Sequence, residues 1–347
     1  MPGRWGETVP MTTHEHRNER QRQEPVSVYA LPEAQALAAR LATALYADPG
    51  MVELRVFEDG EFKVRPLSDP AHRHCLVLAY LHGDVRQSPH DRLCQVLFLI
   101  AALRDHGARR IDLLTPYLAY ARKDRRTQPF DPVSLRYVAQ LLEAAGAASI
   151  ATLEAHHAAA FDNAFRIPAR SLAGHRMLGE HLSHHIQAAP GSRWVVVSPD
   201  PGGIKRAQLW REHLEQSLQP TLTGTIGFAS LDKRRAHGVL TPGEHVCGEV
   251  DGAAVILVDD LIASGRTLAW AAQALLRSGA KRVIAAVSHD LHTAGALDLL
   301  AQAGVERLIT SDSVPDGTRP SGEPASLRVE RLPCEAGLTE LARTWLR

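Results

Sequence analysis

The sequence predicts an α/β protein of two tandem, doubly wound parallel-sheet domains. Its 347 residues correspond to two domains of ordinary size. A join between a helix and an apolar strand also recurs: at 103–114, 142–153 and 276–287 a helix ends, Gly-Ala follows, and the strand begins about three residues later. Short joins with a capping glycine that lead into continuously apolar strands are typical of a parallel sheet buried on both faces. Because the joins fall in both halves of the chain, we expect each half to be one such unit.

The first elements follow from local patterns. Residues 1–26 are polar and poor in aliphatic side chains, which predicts a disordered tail. Pro32 precedes a helical apolar pattern and therefore marks the first turn of a helix. The next expected elements are strands at 52–57 and 75–80 and a helix at 91–107.

The expected domains are 27–170 and 171–325, with the boundary near 167–172. Residues 326–347 are expected to add a strand and a helix that pack back on the N-terminal domain. In open α/β sheets, ligands bind beyond the carboxyl ends of the strands. The chemistry is therefore expected in the segments that directly follow strands.

Composition narrows the classes of function. Lysine plus arginine and aspartate plus glutamate both number 39, so no charge excess favours a nucleic-acid partner. The longest apolar stretch, around 97–103, is far too short to span a bilayer, which argues against a membrane protein. The four cysteines form no CxxC pair and the N-terminus has no apolar leader, so we expect a reduced, cytoplasmic protein. The 18 histidines, His184 and His185 included, are interpreted mainly as composition because they show no ligand spacing.

The strongest candidate site follows the apolar run AAVILV. The segment consists of Asp259, Asp260, Leu261, Ile262, Ala263, Ser264, Gly265, Arg266 and Thr267. Backbone N–H groups, hydroxyls and the positive end of the following helix converge on such a loop and suit a phosphate. Two carboxylates can accept hydrogen bonds from vicinal sugar hydroxyls, directly or through Mg²⁺. The segment therefore predicts a pentose 5-phosphate site; a capping loop with two solvated aspartates is the alternative.

This segment resembles the phosphoribosyl-pyrophosphate motif of type I phosphoribosyltransferases. Further stretches resemble ribose-phosphate pyrophosphokinase: FEDGE at 57–61, and the segments 116–147, 195–208 and 230–239. The resemblance implies two domains of phosphoribosyltransferase type. It also implies transfer of pyrophosphate from ATP to the 1-hydroxyl of ribose 5-phosphate, with Mg²⁺ as cofactor and phosphoribosyl pyrophosphate and AMP as products.

The same resemblance implies roles for single residues. Lys233 and Arg235 are expected to stabilise the transferring group from a closing loop between two strands, and Arg235 also to bind ribose 5-phosphate with residues 259, 260 and 263–267. His156 and Asp200 match metal-linked positions.

The implied ATP-binding residues are Asp59, Glu61, Arg122 and Lys123. In this family a neighbouring subunit completes that pocket. The resemblance therefore implies a homo-oligomer, a dimer or a hexamer.

The chain departs from the family pattern at four single positions. Glu154 stands in place of Asp, Lys123 in place of Gln, Ala263 in place of Asp, and Arg266 in place of Gly. Two other functions stay open. One is a phosphoribosyltransferase, which would need only the second half of the chain, and the other is a non-catalytic homologue that regulates a true synthetase.

Overall fold

The computed structural model describes residues 25–189, 191–219, 225–236, 239–315 and 322–346, with the backbone alone at 233–236 and 239–244. The expected tail lies outside the described residues as far as residue 24, and the first strand begins at Val26. Within these ranges, no helix is long and apolar enough to cross a bilayer.

The first sheet has six strands, all paired in parallel. They are β1 (Val26–Ala30), β2 (Asp48–Gly50), β5 (His74–Leu78), β6 (Arg110–Thr115), β7 (Ser149–Leu153) and β8 (Ala169–Leu172), in the spatial order β2-β1-β5-β6-β7-β8. Strands β3 (Val52–Val56) and β4 (Phe62–Pro66) form a separate antiparallel hairpin. The strand expected at 52–57 therefore lies outside the sheet, as its charged residues Glu53 and Arg55 require.

The second sheet has seven strands. They are β9 (Trp194–Ser198), β10 (Gly227–Ala236), β11 (Val239–Cys247), β12 (Ala254–Ile262), β13 (Arg282–Asp290), β14 (Val305–Ser311) and β15 (Arg328–Leu332). Their spatial order is β11-β10-β9-β12-β13-β14-β15. All pairings are parallel except that of β10 with β11, which form a hairpin at one edge.

Helices cover the sheets and connect their strands. They are α1 (Gln35–Leu45), α2 (Pro89–Asp105), α3 (Ser134–Ala145), α4 (Ala158–Ala164), α5 (Gly174–Gln187), α6 (Ile204–Leu218), α7 (Arg266–Arg277), α8 (Ala296–Gln302) and α9 (Glu335–Arg343), with short 3₁₀ turns at Pro32–Ala34 and Pro201–Gly203. Helix α2 begins with a capping box between Ser88 and Asp91, which satisfies backbone donors of its first turn.

Each sheet has an apolar core on both faces. In β5, Cys75 and Val77 join one core, whereas Leu76 and Leu78 join another on the opposite face. Strand β9 is divided in the same way between the two cores of the second sheet. Successive residues of a strand point to opposite faces, so only a sheet covered on both sides buries them all.

Two elements lie differently from the expected division of the chain. The boundary expected at residue 170 falls inside β8, which pairs with β7 and completes the first sheet at Leu172. In the segment 326–347, strand β15 extends the second sheet, while helix α9 packs against α1 and shares a core with the first sheet. The last strand and helix therefore join the two sheets.

Candidate active site

A cavity of about 790 Å³ opens where strands of both sheets end. From the first sheet it is lined by residues 122–125, Thr127, His156, His157 and Ala160; from the second by 200–203, Arg206 and 259–268. The lining segments follow the carboxyl ends of β6, β7, β9 and β12. This is the edge at which open α/β sheets bind ligands.

The loop 263–265 forms one wall of the cavity. Gly265 precedes helix α7 with φ of 72°, in the left-handed region that favours glycine. Among the described residues no side chain caps this helix, so its first N–H groups are left to a ligand. N–H groups, the Ser264 and Thr267 hydroxyls and the helix dipole together make an anion site.

Replacing Gly265 by alanine is expected to reduce stability more than replacing Gly295. Both glycines have positive φ, which costs a residue with a Cβ roughly 1–2 kcal/mol. At Gly265 a Cβ would also lie 2.9 Å from the Ala296 carbonyl oxygen, whereas at Gly295 it meets nothing within 4 Å. Urea unfolding of Gly265→Ala and Gly295→Ala measures the difference, and equal losses would show that the close approach is unimportant.

Asp259 and Asp260 are joined through Arg206, in the first turn of α6. The Arg206 guanidinium lies 3.4 Å from an Asp259 oxygen and 3.6 Å from an Asp260 oxygen. Burial and the neighbouring Asp260 carboxylate raise the pKa of Asp259. Burial acts on Asp260 in the same sense, but the hydrogen bond with His156 and the Arg206 charge outweigh it and lower that pKa. Both carboxylates are thus held by cationic or N–H partners at the cavity wall.

His156 connects the first sheet to this pair. Its Nδ1 lies 2.6 Å from Asp260 Oδ2, and this hydrogen bond raises the pKa of His156 against the effect of burial. The neighbouring His157 instead caps helix α4, accepting a hydrogen bond from the Ala160 N–H. The two histidines therefore differ in role, and His156 is the one that contacts the paired aspartates.

Glu154, which replaces the aspartate usual in the family pattern, supports the same network. Its Oε1 accepts a hydrogen bond of 3.0 Å from Arg206 Nε, and its Oε2 accepts one from the Gly174 N–H. Arg206 also donates to the His156 carbonyl oxygen at 2.9 Å. Glutamate is longer than aspartate, and at position 154 it forms an ion pair with Arg206.

Asp200 begins the short turn after β9. One of its carboxylate oxygens accepts a hydrogen bond of 3.1 Å from the Gly203 N–H, and the residue lines the cavity. Carboxylate oxygens of Asp200, Asp259 and Asp260 thus border one space. Oxygen donors of this kind suit Mg²⁺, which binds few protein ligands and keeps waters or substrate phosphates.

Two further predicted residues, Arg122 and Lys123, line the cavity from the first sheet. The Lys123 ammonium forms an ion pair with Asp131 in its own loop, and hydrogen bonds with Lys123 and Thr127 lower the pKa of Asp131. Lys123 therefore helps to order the loop that carries Arg122.

Asp59 and Glu61 do not lie at this cavity. They occupy the exposed turn of the β3–β4 hairpin, where Asp59 Oδ1 accepts a hydrogen bond of 3.0 Å from the Glu61 N–H. Within one chain, the structure does not bring them to the other predicted ATP-binding residues.

The expected closing loop of Lys233 and Arg235 is instead part of strand β10. Strand β10 pairs with β9 only as far as Ser230, beside Ser198, and continues as an antiparallel hairpin with β11. The hairpin register shifts between Asp232 and Arg234. The side chains of Lys233 and Arg235 lie outside the described part, but their backbone extends past the carboxyl end of β9, the end that carries Asp200.

Comparison with known families identifies the chain. A model described as the N-terminal domain of ribose phosphate pyrophosphokinase matches residues 26–146, and a phosphoribosyl transferase domain model matches residues 161–299. Ribose-phosphate pyrophosphokinase 2 of Enterococcus faecalis is 31% identical over 290 residues, which are 83% of this chain and 84% of that protein. The chain belongs to the ribose-phosphate pyrophosphokinase family.

Two other relatives agree with this assignment. Ribose-phosphate pyrophosphokinase 1 of Streptococcus pyogenes is 32% identical over 291 residues, 83% of this chain and 86% of that protein. The crystal structure of phosphoribosylpyrophosphate synthetase from Mycobacterium smegmatis superimposes with a TM-score of 0.79 at 27% identity, covering 93% of this chain and 99% of the other. The predicted fold, two tandem phosphoribosyltransferase-type domains with parallel sheets, is confirmed.

Sequence reasoning missed Arg206, which lies between the carboxylates of Glu154, Asp259 and Asp260. Arg206 is 52 residues from Glu154 and 53 from Asp259, so no local spacing connects them. The available signal was its place in the first turn of a helix directly after Pro-Gly-Gly, next to a strand end. An arginine there has carboxylates of neighbouring strand ends within reach.

Proposed function

We propose that this chain is a ribose-phosphate diphosphokinase, which transfers pyrophosphate from ATP to the 1-hydroxyl of ribose 5-phosphate. The products are phosphoribosyl pyrophosphate and AMP. The observation that carries the proposal is one cavity in which a phosphate loop and paired carboxylates face cationic residues of the other sheet, Arg122 and Lys123 among them. A phosphoribosyltransferase would need only the phosphate loop and the paired carboxylates. A nucleoside triphosphate as the donor explains the cationic residues as well.

Ribose 5-phosphate is proposed to occupy the end of the cavity formed by the second sheet. Its phosphate would accept hydrogen bonds from the N–H groups at the start of α7 and from the hydroxyls of Ser264 and Thr267. Its vicinal hydroxyls would donate to Asp259 and Asp260. Ala263 leaves this arrangement intact because the loop binds mainly through its backbone, and Arg266 adds a donor near the phosphate.

ATP is proposed to bind toward Arg122 and Lys123. Asp59 and Glu61 would contact it from a second copy of the chain, because they do not line the chain's own cavity. Val56 and Phe57 are about half exposed on this hairpin, and Phe98 of α2 is 56% exposed. Exposed apolar side chains of this kind are typical of a protein–protein interface.

Sedimentation velocity should therefore show a homo-oligomer, a dimer or a hexamer. A monomer at assay concentrations would exclude an ATP pocket completed by a second copy of the chain.

Mg²⁺ is the proposed cofactor, held by Asp200 with His156 nearby. The carboxylate at residue 200 supplies a hard oxygen ligand, and His156 is fixed by its hydrogen bond to Asp260. A bound Mg²⁺ would neutralise charge on the triphosphate. The protein's own contribution is to orient the phosphates beside the sugar.

The transfer itself requires positioning and positive charge. The anomeric hydroxyl forms a bond to the β-phosphorus of ATP, the bond from that phosphorus to the α–β bridging oxygen breaks, and AMP leaves; the hydroxyl proton passes to solvent. Negative charge grows on the transferring oxygens, and Lys233 and Arg235 are proposed to stabilise it. The β10–β11 hairpin suits this role because it extends past the strand end that carries Asp200.

Replacing Asp259 by asparagine is expected to raise the KM for ribose 5-phosphate about tenfold or more, because an NH₂ donor replaces one of the two oxygens that accept from the sugar hydroxyls or bind Mg²⁺. Steady-state kinetics with ribose 5-phosphate varied at saturating ATP measure the effect. Asp298→Asn, on the exposed first turn of α8, is the matched control and should leave KM unchanged. An unaltered KM in Asp259→Asn would contradict the assigned role.

The proposal is tested by incubating the purified chain with ATP, ribose 5-phosphate and Mg²⁺ and measuring AMP by chromatography. AMP should form only when all three are present. Release of pyrophosphate from phosphoribosyl pyrophosphate and a base, without AMP formation from ATP, would instead indicate a phosphoribosyltransferase. No turnover in either assay, with folded protein, would favour the non-catalytic homologue.

The reducing, cytoplasmic setting is also part of the proposal. Cys75, Cys94, Cys247 and Cys334 are all free, and two of them are buried as thiols. Burial raises the pKa of Cys75 to about 12, so this thiol is inert at neutral pH.

A further inference from the structure

A cluster of possible metal ligands lies away from the cavity. His181 and His185 project from helix α5, one turn apart, toward Glu330 of the edge strand β15. All three side chains are half-buried, and none of them lines the cavity. Residues four apart lie on the same face of a helix, so both imidazoles reach the same carboxylate.

Two of the three distances between the ligand atoms are close to those that a small tetrahedral cation needs, and the third is shorter. Glu330 Oε2 is 2.6 Å from His181 Nε2 and 3.1 Å from His185 Nε2, and the two Nε2 atoms are 3.3 Å apart. In a tetrahedral site with bonds of about 2.0–2.1 Å, ligand atoms lie roughly 3.3 Å apart. Small adjustments of the Glu330 side chain would place all three atoms around one ion.

The surroundings fix the carboxylate and disfavour the simplest alternative, a salt bridge from protonated histidines. The other oxygen of Glu330 forms ion pairs with Arg328, at 3.0 Å, and with Arg307, so Oε2 is left facing the imidazoles. Burial, and after it the charges of Arg307 and Arg328, lower the pKa of both histidines, and Arg282 adds to this effect at His185 alone. Neutral imidazoles with available lone pairs are the form that binds metal.

We propose that His181, His185 and Glu330 form a binding site for Zn²⁺ or a similar transition-metal dication. Two imidazole nitrogens and one carboxylate oxygen are ligands that Zn²⁺ prefers, and water would complete the tetrahedron. The arginine pairs of Glu330 would orient the ligating carboxylate, as outer hydrogen bonds do in known metal sites. Their positive charge also weakens the attraction for a cation, so a moderate affinity is expected.

Such an ion would fasten the edge of the second sheet to helix α5. Strand β15 leads directly into α9, whose buried residues Leu338 and Leu341 belong to a core of the first sheet. An ion at Glu330 therefore stabilises the segment by which the chain joins its two sheets. This role is structural and does not depend on the proposed reaction.

The test is Zn²⁺ titration of the full-length, chelator-treated protein by calorimetry, with excess Mg²⁺ present to occupy sites of hard oxygen ligands. His181→Ala and His185→Ala should each weaken binding of one equivalent about 100-fold or more. His184→Ala is the matched control, because this exposed histidine lies on the same helix between the two proposed ligands. It should bind Zn²⁺ as the unchanged protein does.

Two further measurements keep the result interpretable. Thermal unfolding in chelator shows whether each variant folds, and added Zn²⁺ should raise the Tm of the unchanged protein and of His184→Ala only. Co²⁺ should give the visible absorption of a tetrahedral site in these two proteins alone. The proposal is overturned if the unchanged protein binds no such equivalent, or if His181→Ala and His184→Ala bind alike.

Discussion

Lys233→Ala is expected to lower kcat by about 100-fold or more while leaving the free energy of unfolding nearly unchanged. A cation that stabilises charge only in the transition state affects kcat and kcat/KM together, and its loss typically has this magnitude. The residue lies at the register shift of the β10–β11 hairpin, where the strand pairing is already interrupted, so the substitution should not disturb the sheet. Steady-state AMP formation at saturating ATP and ribose 5-phosphate measures the effect.

Lys281→Ala provides the control for this prediction. Lys281 is exposed next to the amino end of β13, opposite to the edge that carries the cavity. Its replacement by alanine removes the same charge from the chain as Lys233→Ala does. Its kcat should equal that of the unchanged enzyme. If Lys233→Ala retained full kcat, Lys233 would have no part in the transfer.

Arg206→Ala is expected to be the most destabilising single change at the site. The guanidinium, 14% exposed, lies within 3.6 Å of three carboxylates, those of Glu154, Asp259 and Asp260. Removing one partner of a buried ion pair leaves uncompensated charge and costs about 3–5 kcal/mol. Urea unfolding monitored by fluorescence measures this loss.

Arg206→Lys separates the loss of charge from the loss of geometry. A lysine keeps the positive charge but cannot bind Glu154, Asp259 and the His156 carbonyl oxygen at once, so the KM for ribose 5-phosphate should rise even where folding is retained. Arg277→Ala, at the exposed end of α7, is the control and should change stability by less than about 0.5 kcal/mol. Equal stability of Arg206→Ala and Arg277→Ala would refute the central place of Arg206.

The sequence predicts those features that depend on a continuous segment. The segment 259–267 could be predicted because strand end, paired acids, glycine and helix start follow one another in the chain. The structure places all of them at one cavity. The fold of two sheets could be predicted for the same reason, because each Gly-Ala join is a short continuous segment.

Features assembled from distant segments were not predictable. The contact of His156 with Asp260 spans 104 residues, and that of His181 with Glu330 spans 149. Of these residues only Asp260 belongs to a recognisable motif, and the sequence around the others does not indicate the contact. Their chemistry arises only when helix and strand are packed together.

The region around Lys233 shows how local signals can mislead. Its Gly and Pro residues predict a loop between strands, yet the backbone continues as strand β10 and pairs with β11. Antiparallel hairpins tolerate such residues where the register shifts, because the ladder hydrogen bonds are interrupted there. The pairing of β10 with β9 and β11 determines where this hairpin lies, and the local sequence around Lys233 does not.

The most direct test of the proposed activity follows the fate of ATP labelled at its γ-phosphorus. With ribose 5-phosphate and Mg²⁺, the label should appear in phosphoribosyl pyrophosphate, in an amount equal to the AMP formed, because the β- and γ-phosphates move as one unit. Labelled sugar phosphate formed with ADP would show transfer of a single phosphate instead. That result, or an absence of turnover by the folded protein, would contradict the account.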